Sequence, residues 1–493
     1  MGVVIRQSFW GTSIAYTGVL IGYFNTLYLR PEFLSLSEIG VFNLVTANAM
    51  LVSPLCSAGM PGTFIKYFPE FNQDERLRNQ IFTFQLLLVL LVNLLVIAIG
   101  WIAKDFIISN FAEKSPGYVN FLMITAMIIV VNSLFELLFS FCKSVLRVIV
   151  PSFIRDIFLR AGSILLVGGF ALNWWSFEAA VNGLAITYIM ALLILWLDLT
   201  IRQGMRIAFS FDRITPVWRK KIINFGSYSL LLGLSVAVMN NVNYLQVSTL
   251  IGERALGIFT TCFFIGLIVE MPRRNMLKVL APIFAKAMQA HDMDEVKKMY
   301  RKGSITLSVL GLLITIGVLT NINDLFAFIP QGNGFAEGYW VVVAVCFAKL
   351  IFIVFGFNQE IIVYSDYYRY SLFFQLLSAG LLIGLNSWLL PTLGLIGAGV
   401  SYVIAVTVHT LLKFGFIWYK FRLSPFTKAH VWLLLIGLSI FVLFYYVPFP
   451  MNPLVNILVR SALTIIVFVP VIYLTKISED INALIKTIFE KIF

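Results

Sequence analysis

Charge is scarce in this sequence. Only 12% of its 493 residues are Asp, Glu, Lys or Arg, against about 25% in a soluble domain. No polar stretch is long enough to bury a core of its own, so no extramembrane domain is expected to host chemistry. Histidine is rarer still: His291, His409 and His430 are scattered, and no His/Cys/carboxylate spacing suits a metal. The four cysteines, Cys56, Cys142, Cys262 and Cys346, fall inside apolar runs and read as small hydrophobes rather than a disulfide framework. A Gly-x-x-x-x-Gly-Lys phosphate loop is missing, so ATP is not expected to drive the protein directly. No cofactor, metal or enzyme activity is expected.

What remains is apolar: 60% of the residues are hydrophobic. Runs of 18 or more apolar residues recur from end to end, each long enough to cross about 30 Å of hydrocarbon. The first half gives spans over 8–29, 38–60, 81–102, 118–142, 151–173 and 177–198. The second gives 223–245, 254–276, 304–322, 339–364, 370–390 and 394–419, and two more follow at 430–448 and 454–475. The first run carries Tyr16 and Asn25, lacks a small-residue cleavage site, and reads as a retained helix rather than a signal peptide. The expected fold is an all-α integral membrane protein of about fourteen transmembrane helices.

Net charge is +12, with 36 Lys and Arg. Nucleic acid is one reading of that charge; basic cytoplasmic loops are the other. With a cytoplasmic N-terminus, 30 of these residues fall in inside segments and four (Arg30, Lys104, Lys114, Arg254) outside; Lys349 and Arg460 lie within spans. That asymmetry puts both termini in the cytoplasm and excludes nucleic acid as the partner. The longest external loops, around 103–118 and 323–338, hold about fifteen residues each. The tail from Lys476 repeats Ile477, Ile481, Leu484, Ile485 and Ile488 at helical spacing, an amphipathic helix for the membrane interface.

The chain also repeats itself. Gly40-Val41-Phe42 and Gly257-Ile258-Phe259 lie 217 apart, Pro54 and Pro272 lie 218 apart, and Phe64-Ile65-Lys66 and Phe284-Ala285-Lys286 lie 220 apart. Asp74-Glu75 pairs with Asp294-Glu295 at the same 220 offset, and Gly183 to Tyr188 matches Gly397 to Tyr402. Six helices repeated in one orientation suggest two lobes around a central cavity. The expected organisation is a lobe over 1–200, a cytoplasmic linker over 201–222, a second lobe over 223–420, two extra helices over 421–475 and the tail over 476–493. Pro54 and Pro272 are candidate hinges, since proline removes a helical hydrogen bond.

These motifs, with Pro282-Ile283-Phe284-Ala285-Lys286 and the glycine-rich start at Leu393-Gly394-Leu395-Ile396-Gly397-Ala398, resemble the multidrug/oligosaccharidyl-lipid/polysaccharide (MOP) exporter superfamily. The two extra C-terminal helices and the stretch Ser57 to Glu70 resemble its polysaccharide-transporter branch, which contains O-antigen flippases. The resemblance implies a flippase that carries undecaprenyl-pyrophosphate-linked oligosaccharides across a bacterial cytoplasmic membrane; a monomer is expected. Its surroundings would be membrane lipids, a polysaccharide polymerase and glycosyltransferases. A cation-coupled drug antiporter of the same superfamily and a membrane glycosyltransferase or polymerase are the alternatives.

Such a carrier needs cations, amides and aromatics in its cavity. The first span offers Asn25 and Arg30, the second Asn48, and the seventh a polar cluster of Asn240, Asn241, Asn243, Tyr244 and Gln246. That cluster reads as a wet lumen; interhelical hydrogen bonding is the other reading. Lys349, deep in the tenth span, is costly to insert, by about 2.5–3.5 kcal/mol. It either meets the pyrophosphate or pairs with a carboxylate, for which Glu136 is the available partner. Arg273 and Arg274 stand at the cytoplasmic mouth, where they draw in a phosphorylated headgroup or simply follow the positive-inside bias. Glu136 and Glu270 are candidates for ion coupling or ion pairing, and Arg460 reads as snorkelling.

Overall fold

The computed structural model describes residues 2–145, 147–447 and 452–492. Among them there are helices and connecting turns, and no strand. The principal helices are α1 (Gly2–Phe24), α2 (Leu36–Cys56), α3 (Met60–Phe71), α4 (Glu75–Ile102), α5 (Leu122–Ser144), α6 (Leu159–Ala171), α7 (Phe177–Gln203) and α8 (Pro216–Leu250). They continue as α9 (Glu253–Gly266), α10 (Met271–Gln289), α11 (Met293–Thr320), α12 (Tyr339–Val354), α13 (Asn358–Val363), α14 (Tyr368–Leu393) and α15 (Leu395–Phe421). The chain ends with α16 (Lys428–Tyr446), α17 (Pro453–Thr475) and α18 (Glu479–Ile492).

Twelve helical runs among the described residues are long and apolar enough to cross a membrane. The first and fifth expected spans are helical too, but each is interrupted by a π-turn, at Asn25–Leu29 and Ile154–Phe158. Such bulges commonly mark functional positions, and the first immediately precedes Arg30, whose site is described below. The external segments expected as loops contain short helices, Lys104–Ala112 and Ile322–Phe328 among them.

The chain divides into two compact units, Met1–Gly257 and Ile258–Phe493. In the first, α5 packs between α2 and α7, and α8 lies along α2 and α3. Its core is rich in aromatics: Phe64 contacts Phe68, Phe71, Phe82 and Phe141, with ring centroids 5.2–6.1 Å apart. The turn between α2 and α3 passes through Gly59 at φ +69°, where the Gly226 carbonyl of α8 leaves no room for a side chain. The segment expected as a linker is pinned to α4. Gln80 donates to Asp212 at 2.6 Å and accepts from the Arg213 amide at 3.1 Å, and the Ala208 amide donates to Thr83 at 2.9 Å.

In the second unit α15 packs against α12 and α14, and α11 against α12 and α16. Phe284 is fully buried against Phe357, 5.1 Å between centroids, so the matched phenylalanines of the repeat each anchor a core. The acidic caps also recur: Asp74 accepts from the Arg76 and Leu77 amides before α4, and Asp292 from the Glu295 amide before α11. The cap equivalent to Asp74 is therefore Asp292, 218 residues on, rather than Asp294. The tail helix α18 is docked at its start: Lys302 pairs with Glu479 at 2.5 Å, and Asn482 donates to the Tyr473 carbonyl.

Candidate functional site

Two helix interruptions organise the polar interior of the second unit. The first is the 3₁₀ turn Leu267–Glu270 between α9 and α10. Pro272 falls in the first turn of α10, where a missing N–H costs no helical bond, so the proline marks where the helix restarts. The second interruption follows α12, where Gly356 at φ +65° turns the chain into α13.

The interruptions bring five charged side chains into two contrasting arrangements. Arg273 donates from Nη2 to both oxygens of Glu360, at 2.9 and 2.8 Å, and from Nε to the Gly356 carbonyl at 3.1 Å. Its guanidinium lies 4.7 Å from the Phe352 ring centre. Both side chains are sealed, 7% and 10% exposed. One helical turn away, Glu270 sits between two cations. Lys349 Nζ reaches Oε2 at 2.5 Å and Arg274 Nε reaches Oε1 at 3.2 Å. The Lys349 and Glu270 side chains are 12% and 11% exposed, but Arg274 is 60% exposed. Two cations on one carboxylate leave this group one positive charge in excess.

The network extends into α15. Lys413 donates to Gln359 Oε1 and meets His409 Nε2 at 2.6 Å. A lysine donor makes Nε2 the acceptor, so Nδ1 carries the proton and donates to Ser378 Oγ at 2.8 Å. Ser378 in turn donates to the Phe374 carbonyl. The chain of donors is thereby given one direction.

The first unit holds a different cation. Arg30 follows the π-turn of the first helical run, and donates to Asn43 Oδ1 at 2.6 Å and Ser163 Oγ at 2.9 Å. Asn25 donates to the same hydroxyl at 3.0 Å, and the guanidinium stacks 4.5 Å from the Phe42 ring. Arg30 forms no ion pair among the described residues, and its buried Nε has no partner there. Asn25 Oδ1 is likewise buried and unpartnered. The groups that Arg30 contacts among the described residues, Asn43, Ser163 and Phe42, are neutral, in the chemistry that recognises phosphate or sugar.

The expected site residues fare unequally. Lys349 pairs with Glu270, not Glu136; Glu136 faces Arg155 at 3.7 Å. Arg273 is not a headgroup cation at a mouth but half of a sealed ion pair. Its partner Glu360 was legible as an acidic residue inside the tenth span. Arg460 does not snorkel. It is buried, bonded to the Thr320 carbonyl at 2.6 Å and to Asp324 at 2.7 Å. Asn48 donates to the Tyr118 hydroxyl at 2.9 Å, a bond between elements of one unit. The polar cluster of α8 does not share one environment: Asn240 is exposed, Tyr244 half-buried and Asn243 buried. Pro54 lies two residues before the end of α2, so the break it accompanies is the Ser57–Gly59 turn rather than a mid-helix hinge. Lys413 and His409 were missed because the positive-inside count absorbs a lysine near a span's end.

A profile of the family described as polysaccharide biosynthesis protein matches residues 32–324. Among solved structures, the lipid II flippase MurJ in an inward closed conformation superposes with a TM-score of 0.75 at 12% identity, covering 95% of this chain and 99% of that one. An inward-facing multidrug resistance MATE transporter of the MOP superfamily gives 0.62 at 14% identity, covering 84% and 98%. A MOP transporter from Pyrococcus furiosus, described as having a binding pocket of reverse polarity, gives 0.57 at 15%, covering 85% and 95%. A search of curated proteins finds no match. The chain belongs to the polysaccharide biosynthesis protein family, and is a multi-pass membrane protein with the fold of the MOP exporters.

Proposed function

We propose that this protein is a flippase rather than an enzyme. It moves a polyprenyl-pyrophosphate-linked oligosaccharide from the inner to the outer leaflet of a bacterial cytoplasmic membrane by alternating access. The observation that carries this reading is Arg30, a guanidinium held by an amide, a hydroxyl and an aromatic face with no carboxylate paired to it among the described residues. A cation is expensive to hold in a membrane protein unless a function requires it, and an unpaired fork of donors suits a phosphate oxygen. Asn25, Asn43 and Ser163 add the neutral hydrogen-bonding groups a sugar needs. The excess positive charge of the Lys349–Glu270–Arg274 group points the same way, and disfavours the alternative of a cationic-drug antiporter.

The test is flipping in vesicles. Lipid-linked oligosaccharide extracted from the source cells and labelled on its sugar is reconstituted with the protein, and the label crossing to the outer face is followed by an impermeant quencher. The wild type is expected to flip it and Arg30→Gln to fall at least about tenfold, one hydrogen-bonded charge being worth about 1.5–3 kcal/mol. Equal rates in the two would remove Arg30 from the reading, and no flipping by the wild type would remove the reading itself.

A further inference from the structure

The two ion-paired groups of the second unit each centre on a buried glutamate and differ in how its oxygens are used. Glu360 is saturated: one guanidinium takes both of its oxygens, a backbone carbonyl completes the arginine, and the pair is sealed and neutral. Glu270 is divided: each oxygen serves a different cation, one of them open to solvent, and the group keeps a positive charge. Glu270 also ends a four-residue 3₁₀ turn, a tight conformation with poorer hydrogen-bond geometry than the α-helix on either side. A carboxylate in that position is held by its cations more than by its backbone.

We propose that Glu270 is a resident anion. It occupies, between Lys349 and Arg274, the place that a phosphate group of the transported ligand takes, and ligand binding displaces it. This inference rests on the flippase reading and goes beyond it, by making the second unit's site self-competing. A carboxylate and a phosphate oxygen make the same charge-assisted bonds to Lys and Arg, but a pyrophosphate brings more charge and more acceptors. Displacement transfers both cations to the ligand and releases the carboxylate towards solvent beside Arg274. An empty carrier thus keeps its buried lysine compensated, and a loaded one exchanges an internal anion for an external one. Lys349 is further confined between the Phe352 and Tyr402 rings, at 5.8 and 5.7 Å, so the ammonium stays in place while its partner changes.

The test uses the full chain in phosphatidylcholine nanodiscs, with inorganic pyrophosphate as the probe and calorimetry as the readout. Removing a competitor from a site should tighten the probe, so Glu270→Gln is expected to bind about tenfold more tightly than wild type, within the usual range of coupling between ligands. Lys349→Gln should bind about tenfold more weakly, and the double variant should fall between the two single variants, because the competitor at Arg274 is gone. Glu270→Asp, too short to span both cations, should tighten the probe by a smaller factor and serves if Glu270→Gln does not fold. Wild-type binding with Glu270→Gln unchanged or weaker overturns the displacement and leaves the flippase reading standing. No binding by wild type or any variant overturns the displacement, and the vesicle assay with Arg30→Gln decides the flippase reading separately. Discs containing phosphatidylglycerol separate the two sources of phosphate. If pyrophosphate binding weakens in them, the triad is an ordinary lipid-headgroup site and the assignment to transported ligand is overturned.

Discussion

Arg30 and Arg273 are guanidinium groups withdrawn from water in different units, and their surroundings are opposite. Arg273 has a bidentate carboxylate, a backbone carbonyl and an aromatic face. Arg30 has an aromatic face as well, but its polar partners are an asparagine and a serine. The first arrangement closes on itself and has nothing left to offer a ligand. The second leaves its charge uncompensated among the described residues. A charged residue inside a membrane protein therefore says little by type alone; the identity of its partner separates a structural pair from a binding group.

The largest effect should come from breaking the sealed pair. Glu360→Ala strands a buried guanidinium, and loss of one partner of such a pair costs about 3–5 kcal/mol. The variant should show little monodisperse protein by size-exclusion chromatography. Glu360→Ala combined with Arg273→Met, which removes both charges, should recover most of it. If the single variant is as stable as wild type, the pair is not structural and the contrast fails. Arg30→Gln should do the reverse, leaving the thermal midpoint near that of wild type while flipping drops at least about tenfold. Arg30→Lys should recover part of the transport, because it restores the charge without the planar fork. A collapse of folding in Arg30→Gln would place Arg30 beside Arg273 as a structural residue.

The helical membrane architecture was legible because hydrophobic length is set by the bilayer itself. The repeat was legible through phenylalanines that do the same work in each unit, Phe64 and Phe284, while the matched acidic pair pointed to Asp294 where the cap is Asp292. Pairing was not legible. Lys349 announced that it needed an anion, but the sequence offered Glu136 as the available partner, and the 3₁₀ turn at 267–270 brings Glu270 to it instead. Arg273 looked like one more basic residue at a helix end because nothing in the sequence says that the chain turns at Gly356 and brings Glu360 back. Residues within a few positions of a span's end are where this ambiguity concentrates, and Lys413 and Arg460 fell to it as well.

A smaller effect tests how much the sealed pair depends on backbone shape. Gly356 holds φ +65° and lends its carbonyl to Arg273. Gly356→Ala forces a side chain into the left-handed region, at about 1–2 kcal/mol, with Ser304 Cβ only 3.3 Å from the added carbon. A thermal midpoint lowered in this variant, and not lowered further when Arg273→Met and Glu360→Ala are added together, would tie the turn and the pair into one unit. Independent, additive losses would separate them.

The smallest effect lies outside the membrane and supplies the limit of the comparison, an ion pair left in water. Asp74 caps α4; the Leu77 amide, the Arg213 guanidinium and the Arg76 amide hold its carboxyl below the ordinary carboxylate value. A depressed folded value means that the group's stabilisation is fully present above about pH 4, the unfolded value. It is lost as pH falls through the lower folded value. Asp74→Asn keeps a capping oxygen and removes the charge, so the variant should melt below wild type at pH 7 and converge with it as the pH is lowered from about 5 to 3. Because Arg213 and Asp74 are both partly exposed, molar salt should narrow the gap at pH 7. The same salt should leave the cost of Glu360→Ala almost unchanged, since counterions do not reach the sealed pair. Equal salt sensitivity at the two sites would mean that Glu360 is hydrated in the working protein, and that its pairing with Arg273 is no more closed than that of Glu270 with Lys349.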